Sequence, residues 1–193
     1  GSIANLTAIV SARDAQSVQG ERIPRSVVYL TEHTHHCITK ALRVAGLNGC
    51  IQRRVPVDSS YRMHAAALED CIKSDRQDGL LPWLVVSSSG TTNTGSVDPL
   101  GDIGEVSRSN GLWHHVDGAY GAFFALCPEG KQVLKGINHS DSIVMDPHKT
   151  LFLPYGTGAV LVKDRTKMLV AHSADADYMQ DAFSMEEEID PAA

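Results

Sequence analysis

The fold is decided between Trp83 and Asp146, where three short apolar segments, WLVVSSS (83–89), WHHVDG (113–118) and IVMD (143–146), start 30 residues apart. That interval is the length of one strand plus one crossover helix, so the segments read as parallel strands of βαβ units. Between them, Asp98-Pro99 opens a helix that Gly111 terminates. Upstream, SVVYL (26–30) reads as another strand, followed by a helix from about His35 to Val44 that Gly46 stops. An amphipathic helix is expected from Tyr61 to about Arg76, capped by Ser59 or Ser60, with Leu68, Cys71 and Ile72 on one face. Downstream, GTGAVLVKD (156–164) reads as a further strand. The expected fold class is α/β, a mostly parallel sheet flanked by helices, and such sheets hold ligands beyond the carboxyl ends of their strands.

Those strand ends carry the reactive groups. One tip bears His115, Asp117, Ala119 and Tyr120, the next Asp146, His148 and Lys149, and a third runs through Ser87–Ser89 to Thr91 and Thr92. A carboxylate and a lysine at neighbouring tips are, on their own, no more than an ion pair on a sheet rim. His114 and His115 point to opposite faces of their strand, and one of them is expected to be a packed core histidine. His33, His35, His36 and Cys37 invite comparison with a zinc site. Their spacing at a helix start does not converge on one point, however, and no second ligand group stands at fixed spacing, so no metal centre is expected.

Five stretches taken together resemble the group II pyridoxal-phosphate (PLP)-dependent amino-acid decarboxylases, the family of the aromatic-amino-acid, glutamate and cysteine-sulfinate decarboxylases. They are GSIANLTAIVSARDA (1–15), YLTEHTHHCITKAL (29–42), SGTTNTGSVDPL (89–100), HVDGAYG (115–121) and DSIVMDPHKTLF (141–152), in family order and at family spacing. The resemblance implies a fold-type I PLP-binding large domain and α-decarboxylation of an L-amino acid to the amine and CO2. Other fold-type I reactions (aldehyde synthesis, desulfuration, transamination) and a non-catalytic fragment or homologue that only binds PLP are the alternatives.

By the same resemblance Lys149 forms the Schiff base with the cofactor and Asp117 holds the pyridine nitrogen protonated. His35 stacks on one ring face, with Ala119 opposite. Ser2, Ser142 and His148 match contacts to the 5′-phosphate, and Thr92 lies near the ring substituents. Chemistry independently asks for these types: a lysine amine that can be covalently joined, an anion at the ring nitrogen, and helix N-terminal N–H groups for a phosphate. Tyr178, 29 residues after Lys149, matches the family's loop tyrosine that delivers a proton to the α-carbon. Two positions depart from the family pattern: Thr150 follows the lysine where an aromatic is usual, and Ile3 replaces an acidic residue in the first helical turn.

The formal charge of −6, with no basic stripe, excludes a nucleic-acid footprint, and Arg53-Arg54 reads as a solvated edge. No apolar run approaches the roughly 20 residues of a membrane span. Four cysteines without a C-x-x-C pair read as free buried thiols, which suits a reducing, cytoplasmic compartment. One domain over 1–193 is expected, truncated at both ends, with 173–193 a mobile catalytic loop and acidic tail; Gly1-Ser2 reads equally well as a tag scar. The family resemblance also implies a homodimer with the active site at the subunit interface.

Overall fold

A computed structural model describes residues 1–173. Its centre is a six-stranded sheet of order β2-β1-β3-β4-β5-β6. The strands are β1 (Ser26–Leu30), β2 (Ile51–Arg54), β3 (Leu81–Ser88), β4 (Trp113–Asp117), β5 (Ser142–Met145) and β6 (Ala159–Val162). The first five are mutually parallel, and β6 runs antiparallel along β5. The expected strands form where the apolar runs place them. β1 and the core of β3 are buried throughout, as strands covered on both faces must be.

Helices α1 (Ser2–Ala15) and α2 (Cys37–Val44) pack together on one face. Ile9, Ala12, Ile38 and Leu42 meet Val28, Leu30, Leu84, Val86 and Trp113 there. The opposite face carries α3 (Ala65–Gln77) and α4 (Leu100–Ser109), whose Leu68, Ile72 and Ile103 pack on Val27, Tyr29 and Val85. Three further α-helices are short or outlying: α5 (Pro128–Val133), α6 (Pro147–Thr150) and α7 (Arg165–His172), the last lying against α1.

Three expectations need correction. Helix α3 starts four residues later than the apolar pattern suggests, because Asp58 captures the preceding loop. Its carboxylate accepts from the N–H groups of Ser60 and Arg62, and Tyr61 takes a left-handed φ of 61°. The cap is then His64, whose Nδ1 accepts from Ala67 N, in place of Ser59 or Ser60. Arg53 and Arg54 are no idle edge: they belong to β2, which the apolar pattern misses. The Arg53 guanidinium pairs with buried Asp75, while Arg54 donates to Thr31 O at 2.6 Å. Both His114 and His115 are core residues, at 1% and 0% exposure.

The topology fixes where a site can lie. The chain steps from β1 outward to β2 and then returns across to β3, so the order reverses between β1 and β3. Crossovers leave on opposite faces at such a point and open a crevice at the carboxyl ends of the strands.

Candidate active site

A cleft of about 730 Å³ occupies that crevice, within the range of small-molecule sites. It gathers the segment after β1 (His33, His35, Cys37), the tips of β3 (Ser88, Gly90, Thr91, Thr92) and β4 (Asp117, Ala119, Tyr120), and the start of α6 (Asp146, His148, Lys149). The first residues of α1, Gly1 to Asn5, close one wall. Backbone approaches are tight here. A Cβ on Gly121 would stand 2.2 Å from Ser89 O, so only glycine lets the β3 and β4 tips come together.

Of the residues expected from sequence, Ser2, His35, Thr92, Asp117, Ala119, His148 and Lys149 all line this one cleft. Lys149 and Asp117 therefore share a cavity. In the structure the Lys149 ammonium is 3.1 Å from Asp146 Oδ2, with 42% of the side chain exposed. Asp146 is thus a central group whose part the sequence does not announce: Oδ1 lies 2.7 Å from Gly1 N, and His148 Nε2 is 3.9 Å from Oδ2. Burial raises the Asp146 carboxyl, and the hydrogen bond and charge of Lys149 pull it down.

Asp117 is differently placed. Its Oδ1 accepts from Ala119 N at 3.2 Å and its Oδ2 receives the Cys37 thiol at 3.9 Å, a long sulfur contact. Among the described residues no cation pairs with it. His35 is half-buried beside His36 (ring centroids 4.0 Å apart), and its Nδ1 accepts from Cys37 N at 3.3 Å. Its imidazole is pushed toward the neutral form first by burial and then by His36 and Lys149, against an opposing pull from Asp117.

Ser142 is the exception to the grouping. It is 1% exposed and lies beneath the cleft, where its hydroxyl is spent on Trp113 Nε1 and His115 Nδ1, each at 2.8 Å. Direct contact with a phosphate is therefore not what the structure shows for it. β5 turns this side chain inward opposite His115, a pairing that only the strand register reveals. Tyr178 lies outside the described residues.

The donor set suits a phosphorylated pyridine aldehyde. An amine for covalent attachment, a carboxylate that no cation pairs among the described residues and an imidazole that burial pushes toward the neutral form share the cavity with the start of α1. The first turn of α1 carries no acidic side chain and borders the cleft, so its backbone N–H groups suit an anion.

The family model for the pyridoxal-dependent decarboxylase conserved domain matches residues 1–190. The chain is similar to an aromatic-L-amino-acid decarboxylase of Bacillus atrophaeus, 37% identical over 182 residues, which cover 94% of this chain and 38% of that protein. It is 32% identical over 183 residues to a phenylacetaldehyde synthase of Arabidopsis thaliana, covering 93% of this chain and 37% of that one. Among solved structures, Oryza sativa TDC with PLP and tryptamine superimposes with a TM-score of 0.89 at 31% identity, covering 98% of this chain and 40% of that one. The chain thus spans well under half the length of the relatives it matches.

Proposed function

The chain belongs to the pyridoxal-dependent decarboxylase family, and on that premise we propose that it forms the cofactor-holding part of an enzyme that removes the α-carboxylate of an L-amino acid as CO2. The observation that carries this reading is the single cleft lined by both Lys149 and Asp117, the amine held in an exchangeable ion pair and the carboxylate, among the described residues, paired with no cation. PLP, when bound, supplies an electron sink conjugated to the α-carbon, which is what loss of CO2 requires.

Lys149 Nζ would attach the cofactor covalently, and Asp146, which now holds that ammonium, would keep it at the cleft floor until it reacts. Asp117 would hold a proton on the pyridine nitrogen, since an anion fixed there favours the charged ring. His35 would cover one face of the ring and Ala119, too small to crowd it, the other. Ser2 with the first turn of α1, and His148, would hold the phosphate; Ser142 supports the site from below through His115. Thr92 borders the ring substituents. Tyr178 would deliver a proton to the α-carbon after CO2 has left, and residues 173–193 would form the loop carrying it, all within one domain over 1–193.

A second copy of the chain is proposed to cover the exposed apolar surface of Phe152, Leu153 and Tyr155, the last of which borders the cleft. A cytoplasmic setting fits the four free cysteines, and among the described residues no helix is long and apolar enough to cross a membrane.

The test is a screen of aromatic, acidic and diamino L-amino acids with the intact protein and PLP, following CO2 and amine. Wild type should release both in equal amount and show the visible absorbance of a lysine-bound cofactor. Lys149→Ala should lose that absorbance and the activity. Unchanged absorbance in the variant, or aldehyde in place of amine, would overturn the assignment.

A further inference from the structure

Beneath the cleft a run of buried polar side chains ends on Asp117. Trp113 Nε1 lies 2.8 Å from Ser142 Oγ, Ser142 Oγ 2.8 Å from His115 Nδ1, and His115 Nε2 2.8 Å from Asn5 Oδ1. Asn5 Nδ2 then lies 3.5 Å from Cys37 Sγ, and Cys37 Sγ 3.9 Å from Asp117 Oδ2. All five members before Asp117 are buried.

The indole donor and the single acceptor in reach of the Ser142 hydroxyl together set the direction of the others. An indole N–H can only donate, so Ser142 accepts from Trp113; the acceptor that the described residues place within reach of its own O–H is His115 Nδ1, so the hydroxyl donates there. His115 then carries its proton on Nε2 and donates to Asn5 Oδ1. That orients the Asn5 amide so that its NH2 faces Cys37, and the thiol proton is left to point at Asp117. Every proton in the run is directed toward the carboxylate. The groups are suited to remaining neutral: burial lowers the His115 imidazole to about 4, and burial together with the Asp117 charge raises the Cys37 thiol to about 12.

We propose that Trp113, Ser142, His115, Asn5 and Cys37 form a one-way hydrogen-bond relay that delivers a donor to the Asp117 carboxylate from below, with His115 and Cys37 as positioning residues for it. A carboxylate held by Cys37 on one oxygen and Ala119 N on the other cannot rotate freely. Its remaining lone pairs are thereby aimed into the cleft, where the proposed pyridine nitrogen would lie. The relay adds no charge of its own, so the anion is oriented without being neutralised. As a statement about Asp117's service to a cofactor, this rests on the function proposed above; the relay itself belongs to the protein alone.

Two measurements test it. Nitrogen-15 NMR of histidine-labelled intact protein, without PLP, reads the His115 tautomer. The expected form is neutral with the proton on Nε2, because the Ser142 O–H occupies Nδ1. Neutral His115 protonated on Nδ1 in wild type overturns the proposed direction. PLP affinity reads the far end: Cys37→Ala should weaken binding roughly three- to tenfold and Cys37→Ser, which keeps a donor, should restore it. Equal affinities in the two variants overturn the role of Cys37. A wild type that fails to retain PLP refutes the proposed function and leaves the tautomer measurement standing; an Nδ1–H His115 in a protein that does retain PLP refutes the relay alone.

Discussion

Two buried polar networks lie on opposite faces of the sheet, and each centres on an aspartate. On the α3 side, Asp75 is 2% exposed, accepts from Tyr29 Oη at 2.7 Å and pairs with the Arg53 guanidinium, whose side chain is 40% exposed. Its charge is answered inside the network; the Tyr29 hydroxyl is pushed well above the usual phenol range, first by burial and then by Asp75. On the α1 side, Asp117 is reached by a neutral relay and by one backbone N–H, with no cation paired to it among the described residues. A closed network of the first kind holds elements together, here α3, β1 and β2. An open one leaves an anion with bonding capacity toward a cavity, which is a binding property more than a stabilising one.

The sharpest way to break this contrast is to neutralise each aspartate in turn. Asp117→Asn should lower kcat/KM for decarboxylation by about 10²–10³-fold, the size of losing a fixed electrostatic contact to developing charge, while the urea midpoint stays near that of wild type. A large loss of stability with little loss of activity would reverse the assignment of the two networks.

Acid comes next. His114 and His115 are held by burial to about 3 and about 4, below the ordinary value near 6.5. Between those values the unfolded chain binds protons that the native state does not, so stability is complete above about pH 6.5 and falls as pH drops toward 4. The size is on the order of 3 kcal/mol per histidine. Asp98, whose carboxyl burial raises, works in the opposite direction. Urea midpoints at pH 7.5, 5.5 and 4.5 should fall in that order, and His114→Gln should shallow the slope.

Asp75→Ala should cost about 1–3 kcal/mol in urea unfolding, because Tyr29 loses its buried partner, yet leave PLP affinity unchanged. The smallest effect is a control outside both networks. Gly111 has a φ of +67°, and a methyl group there would meet nothing within 4 Å, so Gly111→Ala should cost about 1 kcal/mol from backbone conformation alone.

Strands β1 and β3 are legible in the sequence because burial on both faces leaves continuous apolar runs, and β4 and β5 because their starts recur at the βαβ interval. Strand β2 is not: in IQRR the guanidinium of one arginine serves a buried aspartate on a distant helix, and an edge strand with polar residues carries no period. The cleft residues at strand tips are legible because the topology forces such tips together. Ser142, Asn5 and Cys37 are legible only as polar positions on buried faces, since their pairing depends on the register of β4 with β5 and on how α1 and α2 lie over them. Asp146 is visible as a strand end, but its grip on Lys149 depends on α6 turning back within one helical turn.

The relay also has a schedule. Asn5 and His115 are partners 110 residues apart in the chain, and Ser142 lies further on still. Translated from the amino end, α1 leaves the ribosome long before the strands that will sit beneath it, and Lys149 follows only after β4 and β5 have been made. Capture of PLP by a nascent chain should therefore begin only once Lys149 and the β6 segment that also lines the cleft have cleared the ribosome, which makes cofactor retention a reporter of completed assembly in arrested translation intermediates.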